Sequence, residues 1–233
     1  MIYRSLADIN IYDSPKLDRL ATQMARGRYL QVNVVEQDSQ VNYFKIQLLE
    51  DGYEGLLDRQ DFHKLELSDQ ESSDHQSYDA NFPTGLINQI TLQEISDRLP
   101  KVIKYIREAM ATPNEYLWGG TVAPNYDCSG LMQAAFASVG IWIPRDAYQQ
   151  EAFAEPIALG DLQVGDLIFF GTPIKATHVG MYIGNNEYIH SSGKEHGHNG
   201  IAVSVISPIA ESDRVSQWYF KELRGAGRIT KGI

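Results

Sequence analysis

Residues 127–140 read Asp-Cys-Ser-Gly-Leu-Met-Gln-Ala-Ala-Phe-Ala-Ser-Val-Gly and contain the only cysteine of the 233-residue chain. The stretch from Ser129 to Val139 contains strong helix formers, and Gly140 stands where a helix C-terminal cap is expected. Cys128 therefore lies at the beginning of a predicted helix. At that end the helix dipole and the free N–H groups favour a thiolate over a thiol, and the thiolate is the nucleophilic form.

A lone cysteine is more often a small buried core residue than a nucleophile, so its surroundings decide between the two. With one cysteine, an internal disulfide framework and a multi-cysteine zinc site are both excluded. Nucleophilic catalysis needs a general base, most often histidine, and a further group that orients that base. The sequence offers His178 and His190 for these two tasks.

The two histidines fall in neighbouring predicted strands that are joined by the turn-forming sequence Gly-Asn-Asn at residues 184–186. If these three residues close a hairpin, Gly180 lies opposite His190, and His178 and His190 lie on one face of the sheet. A two-residue loop would separate them. A zinc site made of Cys128 and the two histidines is an alternative interpretation of the same residues. We expect surface positions without a role for the remaining histidines: His63, His75, His196 and His198.

The N-terminal part of the chain has a different pattern. Short apolar runs broken by turn residues extend to about residue 67, which is typical of a small antiparallel β-barrel. Within it, Glu-Asp-Gly at residues 50–52 predicts a hairpin turn between strands near 42–48 and 53–56. A polar, acidic stretch follows between residues 68 and 84 and has little to bury. We therefore predict a barrel at residues 1–80 and a second domain at residues 81–233.

In the second domain, helices precede strands. Apolar residues recur at three- and four-residue spacing after Pro100 in the segment 91–111, and the helix that begins at Cys128 follows. Strand patterns then occupy residues 166–170, 178–183, 187–190, 201–206 and 218–223. This order predicts an α+β domain with helices packed on an antiparallel sheet.

Charge and hydropathy limit the partners and the location. A formal net charge of −10 argues against nucleic acid and anionic membrane surfaces, both of which require clustered Lys and Arg. No run of about eighteen apolar residues could cross a bilayer as a helix. The first residues do not have the pattern of a secretory signal, so we expect a cytoplasmic protein. Nothing in the sequence indicates an oligomeric state.

Five short motifs occur in one order: Tyr-Leu-Trp-Gly-Gly at 116–120, Asp-Cys-Ser-Gly at 127–130, Gly-Asp-Leu-Ile-Phe-Phe at 165–170, His-Val-Gly-Met-Tyr at 178–182 and Tyr-Ile-His-Ser-Ser at 188–192. Together they closely resemble the NlpC family of papain-like cell-wall cysteine peptidases. The resemblance covers residues 101–223, about half of the chain. In that family the cysteine is the nucleophile, the first histidine is the general base and a second polar residue orients it. These roles correspond to Cys128, His178 and His190.

The resemblance also implies a substrate: the bond between D-glutamate, linked through its γ-carboxyl group, and a diamino acid of the peptidoglycan stem peptide. Members with an N-terminal bacterial SH3-like barrel resemble γ-D-glutamyl-L-diamino acid endopeptidases that recycle freed muropeptides with an unblocked N-terminal L-alanine. Residues near the nucleophile in sequence are candidates for binding this peptide: Tyr116, Asp127 and Ser129 for the free ammonium, with Arg145, Asp146 and Ser191 as further candidates.

Two other functions fit the same residues. An amidase or acyltransferase on the same scaffold would use the same acyl-enzyme with a different substrate or acceptor. A non-catalytic module that binds cell-wall fragments would need neither histidine. No metal ion or organic cofactor is implied by the resemblance.

Overall fold

The structure is a computed structural model that describes residues 1–33, 41–68, 90–208 and 213–233. The chain divides into two compact units, Met1–Asn88 and Gln89–Ile233. The boundary predicted between residues 80 and 81 lies outside the described residues.

The described residues of the N-terminal unit form a seven-stranded sheet, and the pairings among these strands are antiparallel. Its strands are β1 (Ile2–Ser5), β2 (Ile9–Tyr12), β3 (Leu20–Met24), β4 (Tyr29–Val32), β5 (Tyr43–Leu48), β6 (Glu54–Asp58) and β7 (Leu65–Leu67). Apolar side chains at alternate positions, such as Ile9 and Ile11 of β2, form its core. The hairpin predicted around residues 50–52 is confirmed, because β5 pairs with β6 and Gly52 has a positive φ of 67° in the turn between them.

The closed barrel expected from the sequence is not shown. Among the described residues, the strand order is β3-β2-β6-β5-β4-β1-β7, an open series that begins at β3 and ends at β7. A barrel requires a pairing that joins the two ends of such a series. The supported description is an N-terminal unit built from an antiparallel sheet.

The C-terminal unit is the predicted α+β domain. Its helices are α1 (Leu92–Ala111), α2 (Cys128–Ala137), α3 (Ala147–Phe153) and α4 (Arg214–Lys221). A two-stranded ribbon, β8 (Thr121–Val122) with β9 (Asn125–Tyr126), precedes α2. The remaining strands form a six-stranded antiparallel sheet: β10 (Glu155–Ile157), β11 (Leu167–Gly171), β12 (Ala176–Gly184), β13 (Glu187–Ser192), β14 (Gly200–Val205) and β15 (Leu223–Arg228). Their order is β10-β15-β11-β12-β13-β14.

Helix α1 is longer than the sequence pattern indicated. It begins at Leu92, after the N-cap Thr91, whose side chain accepts a hydrogen bond from the backbone N–H of Glu94. The Glu94 carboxylate accepts one from the backbone N–H of Thr91 in return, which completes a capping box. This cap starts the helix two turns before Pro100, so the proline lies inside α1 rather than at its beginning.

The two faces of the six-stranded sheet carry different cores. Alternate residues such as Val179 and Ile189 pack with α1 and α2 on one face, whereas Phe170 and Tyr188 pack with Tyr219 of α4 on the other. The strand predicted at residues 218–223 is wrong, because α4 occupies most of that segment and β15 begins only at Leu223.

Candidate active site

Cys128 is the first residue of α2, and the residue before it caps that helix. The carboxylate of Asp127 accepts a hydrogen bond of 2.6 Å from the backbone N–H of Gly130. In the structure, a Cβ at this position would clash with the carbonyl oxygen of Gly120, so the glycine makes room for the backbone beside β8.

The Asp127 carboxylate is the centre of a buried network. Arg145 donates to it twice, with Nη2 at 2.6 Å from Oδ2 and Nη1 at 3.1 Å from Oδ1, and also donates to Ser129 Oγ at 2.9 Å. The backbone N–H of Gly119 donates to Oδ2 at 2.9 Å. Together with the N–H of Gly130, these donors occupy the carboxylate. Three of the predicted substrate-binding residues, Asp127, Ser129 and Arg145, therefore hold the start of α2 in place.

The environment of the thiol differs from the sequence-based expectation. Burial, together with the negative charge of Asp127, raises the pKa of Cys128 to about 12. The backbone N–H groups of Val179 and Ser129 and the charge of Arg145 act in the opposite direction. Burial is the largest of these effects and outweighs the helix terminus. The unliganded site therefore favours the thiol, and the expected resting thiolate is not supported.

The hairpin of β12 and β13 brings the two candidate histidines together. The strands pair in the predicted register, in which Gly180 lies opposite His190. The loop achieves this with a two-residue turn, Asn185 and Asn186, both with positive φ, and a β-bulge just before it. The extra residue in the bulge gives the same register as the three-residue loop expected from the sequence. The prediction that His178 and His190 share one face is confirmed by their direct contact, with 2.7 Å between His178 Nε2 and His190 Nδ1.

The hydrogen-bond chain continues beyond the two histidines. His190 Nε2 lies 3.0 Å from Ser204 Oγ on β14. Burial lowers the pKa of His178 well below 6.5 and that of His190 to about 3, so both imidazoles are neutral at pH 7. If His178 donates from Nε2 to His190, then His190 donates from Nε2 to Ser204. In this arrangement, His178 Nδ1 is left as a hydrogen-bond acceptor, as a general base requires.

The backbone next to His178 contacts the nucleophile. The N–H group of Val179, the next residue along β12, acts on the Cys128 thiol. Cys128 and His178 are both buried. The start of α2 and the strand β12 therefore meet at the sulfur atom.

Tyr219 of α4 completes the surroundings of His178, and sequence reasoning did not find it. The two rings are stacked, with 4.0 Å between centroids and 19° between planes. The Tyr219 hydroxyl lies 2.9 Å from Ser192 Oγ. The residue was missed because its segment was assigned to a strand. Sequence reasoning also missed Ser204 of β14. It pairs with Tyr188 of β13 and therefore lies on the same face as His190.

Tyr116 and Asp146, both expected to bind substrate, lie within electrostatic range of the Asp127 carboxylate. Tyr116 is half-buried. Burial raises its pKa, and the charges of Cys128 and Asp127 raise it further, so its phenol lies within electrostatic range of both. Asp146 precedes α3. Burial raises its pKa, and the charge of Arg145 lowers it.

Ser191 is placed differently from the other candidates. It lies on the opposite side of β13 from His190 and is fully buried. Its hydroxyl donates to the carbonyl oxygen of Tyr126 at 2.7 Å, which ties β13 to β9. This contact gives Ser191 a structural role and directs its hydroxyl away from the histidines. The Trp118 side chain is 67% exposed.

The geometry does not bring together the ligands that the zinc interpretation requires. Within the described ranges, no three His, Cys, Asp or Glu side chains are grouped as a metal site would require. His178 and His190 direct ring nitrogens at each other.

Of the histidines expected to have no role, His196 lies beside Tyr219, with 5.3 Å between ring centroids. His75 is outside the described residues. Within the described part of the chain, no helix has the length and apolar character that a membrane crossing needs.

Comparison with known proteins agrees with this arrangement. Residues 113–221 match the model of the NlpC/P60 family, and residues 11–62 match that of the bacterial dipeptidyl-peptidase Sh3 domain. This chain carries an NlpC/P60 domain and a bacterial SH3 domain. The resemblance drawn from the five motifs is therefore confirmed, and the NlpC/P60 domain contains the whole set of Cys128, His178 and His190.

Relatives share the NlpC/P60 domain over part of their length. The murein DD-endopeptidase MepS/murein LD-carboxypeptidase of Escherichia coli K12 is 37% identical over 93 residues, which are 40% of this chain and 47% of the relative. The bifunctional muramidase/DL-endopeptidase CwlT of Bacillus subtilis is 41% identical over 118 residues, 49% of this chain and 32% of the relative. The chain thus spans less than half of either relative. A crystal structure of an NlpC/P60 family protein from Bacillus cereus is 22% identical, covers 98% of this chain and 63% of its own, and has a TM-score of 0.48.

Proposed function

We propose that this protein is a cysteine endopeptidase that hydrolyses the γ-D-glutamyl-L-diamino acid bond of peptidoglycan stem peptides. The observation that carries the proposal is the 2.7 Å contact between His178 and His190, on the strand whose next residue, Val179, contacts the Cys128 thiol. A nucleophile, a base and an orienting group are the three parts that acyl transfer needs. The names of the relatives in Escherichia coli and Bacillus subtilis, a murein endopeptidase and a DL-endopeptidase, support the substrate class.

Acylation begins with the Cys128 thiol and the His178 imidazole both uncharged. His178 Nδ1 takes the proton of the Cys128 thiol as the sulfur attacks the γ-glutamyl carbonyl carbon. The carbonyl oxygen becomes an oxyanion, which backbone N–H groups at the start of α2, including that of Cys128, stabilise. The tetrahedral intermediate collapses when the C–N bond breaks. His178 then gives its proton to the departing amine, and a thioester remains on Cys128.

Deacylation reverses the proton movements. His178, neutral again, removes a proton from water as the water oxygen attacks the thioester carbonyl. The C–S bond breaks, the thiolate recovers the proton from His178, and the new γ-carboxylic acid leaves as a carboxylate after it loses its proton to solvent. Throughout, His190 accepts from His178 Nε2, which leaves Nδ1 to exchange the proton in this proposal, and Ser204 fixes His190 in turn. Because burial lowers the pKa of His178, a proton that it has taken up is readily given to the amine, whereas taking that proton from the thiol is correspondingly costly.

The proposal includes an unblocked N-terminal L-alanine in the substrate. Its ammonium group needs carboxylate or hydroxyl partners. Arg145 and backbone N–H groups already occupy the Asp127 oxygens, so an ammonium there would share them. We therefore assign the direct contact to the half-buried Tyr116, with Asp127 nearby as the negative charge. The cytoplasmic location stays a prediction, and cell fractionation with an antibody against the full chain would test it.

The test uses two peptides, L-Ala-γ-D-Glu-diaminopimelate and its N-acetylated form, with release of diaminopimelate followed by mass spectrometry. The proposal expects cleavage of the free peptide and slower cleavage of the acetylated one. In the Tyr116→Phe variant, this preference should shrink. Equal cleavage of both peptides by the unmodified protein would remove the ammonium subsite. Cleavage of neither would overturn the proposed bond, and a new amide formed with an added amine would favour the acyltransferase.

A further inference from the structure

One buried aromatic residue contacts the candidate catalytic pair from outside the predicted set. Tyr219 is 3% exposed and stacks on His178 at 4.0 Å between centroids. It meets the ring of His190 edge to face, with 5.1 Å between centroids and 88° between planes. The same side chain thus touches both imidazoles, one with its face and one near its edge.

The Tyr219 ring is itself held in place. Its hydroxyl lies 2.9 Å from Ser192 Oγ, two residues beyond His190 on β13. The ring of Phe170 packs against it with 5.4 Å between centroids, and α4 fixes its backbone. An aromatic ring with a hydrogen-bonded hydroxyl and packed neighbours has little rotational freedom. Tyr219 is therefore a rigid plane against which His178 lies.

We propose that Tyr219 is a positioning residue that sets the ring plane of His178 and stabilises its protonated form. The contact between His178 Nε2 and His190 fixes one point of the imidazole, but this hydrogen bond alone leaves the ring free to tilt. Phe170 packs against the ring at an angle, with 5.7 Å between centroids and 49° between planes, whereas Tyr219 stacks nearly parallel to it. Stacking on Tyr219 therefore sets the tilt of the ring and, in the proposed mechanism, the direction of Nδ1. The inference rests on the proposed roles of Cys128 and His178.

The second effect is electrostatic. When His178 takes the thiol proton it becomes an imidazolium, and the face of a tyrosine ring attracts a cation that lies over it. Burial is the largest of the effects that lower the pKa of His178 and so disfavour this cation. Tyr219 is thus the stacked group that compensates a burial which otherwise disfavours the cation. A cation–π contact of ordinary strength changes such an equilibrium about 2- to 30-fold.

Alkylation of Cys128 by iodoacetamide tests the proposal without using any substrate. Cys128 is the only cysteine, so uptake of the reagent measures this thiol alone. At pH 7 we expect alkylation about 5- to 30-fold slower in Tyr219→Leu and in Tyr219→Met. Two aliphatic variants are used so that the test can be made with whichever of them folds. Tyr219→Phe keeps the stacked ring and should stay within about threefold of the unmodified protein. Tyr105→Leu, which alters another aromatic side chain of this domain, is the matched control and should alkylate normally.

A double variant separates positioning from general packing. In a His178→Ala background, Tyr219→Leu should change the alkylation rate less than about twofold, because the group through which it acts is gone. An equally large loss in that background would overturn the proposal, as would normal alkylation in both aliphatic variants. Failure of the protein to cleave the stem peptide would leave these rates unaffected, so the two proposals fail separately.

Discussion

The buried network around Asp127 predicts that the substitution Arg145→Met lowers the stability of the protein. The side chains of Arg145 and Asp127 are 1% and 9% exposed, and their closest oxygen and nitrogen atoms lie 2.6 Å apart. Replacing the guanidinium by an apolar side chain leaves the carboxylate buried without its cation. Removal of one partner of a buried ion pair costs about 3–5 kcal/mol. Since Asp127 also caps α2, the loss should reach the start of the helix that carries the nucleophile.

Urea unfolding followed by tryptophan fluorescence measures this loss. All three tryptophans, Trp118, Trp142 and Trp218, lie in the C-terminal unit, so the signal reports that unit within the full chain. The matched control is Lys104→Met. Lys104 pairs with Glu108 at 3.6 Å on the surface of α1, with exposures of 73% and 67%, and its loss should change the free energy of unfolding by less than about 0.5 kcal/mol.

A double-mutant cycle with Asp127→Asn tests the same pair. Added to Arg145→Met, this substitution removes the stranded charge while the amide oxygen can still accept from Gly130. We expect it to recover about 1–3 kcal/mol in that background. A loss in Arg145→Met no larger than in Lys104→Met would refute the reasoning, because the buried pair would then contribute no more than a surface pair.

Three further predictions concern other parts of the site. In Gly130→Ala, the new methyl group meets the Gly120 carbonyl, so the free energy of unfolding should fall by at least about 1–3 kcal/mol, and an unchanged urea midpoint would contradict this. In Ser204→Ala, His190 loses its partner at Nε2, and kcat should fall about 2- to 10-fold at unchanged KM, whereas a rise in KM alone would exclude an orienting role. Burial lowers the pKa of His178 and His190, so the unfolded chain binds protons near pH 6 that the folded chain does not. The free energy of unfolding should therefore fall as pH decreases below about 6.5, by up to about 1.4 kcal/mol per pH unit for each imidazole. Urea titrations at pH 7, 6 and 5 would measure the slope, and a flat profile would show that the two rings are not buried and neutral.

Much of the site could be predicted because its signals are local in sequence. The helix after Cys128, the alternation of the strands and the Gly-Asn-Asn turn are each contained within about a dozen residues. They were enough to place His178 and His190 on one face, although the structure uses a two-residue turn with a bulge. The turn type could be replaced because the bulge restores the same register.

Other features depend on tertiary structure and were missed for that reason. Residues 218–223 contain aromatic residues that suit a strand, yet Asp213 caps a helix there by accepting from the N–H of Ser216. This misassignment hid Tyr219. Eighteen residues separate Arg145 from Asp127, and no local pattern indicates their pairing.

The state of the thiol is a further case. The helix N-terminus of α2 is visible in the sequence, but the burial that raises the pKa of Cys128 is not. Part of this burial comes from β12, which packs on α2 from a distant part of the chain and brings the Val179 N–H to the sulfur. A sequence can therefore locate a nucleophile of this kind without determining its resting protonation state.

The central claim is that the Cys128 sulfur performs the hydrolysis, and one comparison tests it most directly. The full chain and its Cys128→Ala variant are incubated with L-Ala-γ-D-Glu-diaminopimelate at equal concentration, with tryptophan fluorescence used to verify that both are folded. Mass spectrometry follows the released diaminopimelate. The account predicts release by the unmodified protein and a loss of at least about a thousandfold in the variant. Release at similar rates by both proteins would contradict it.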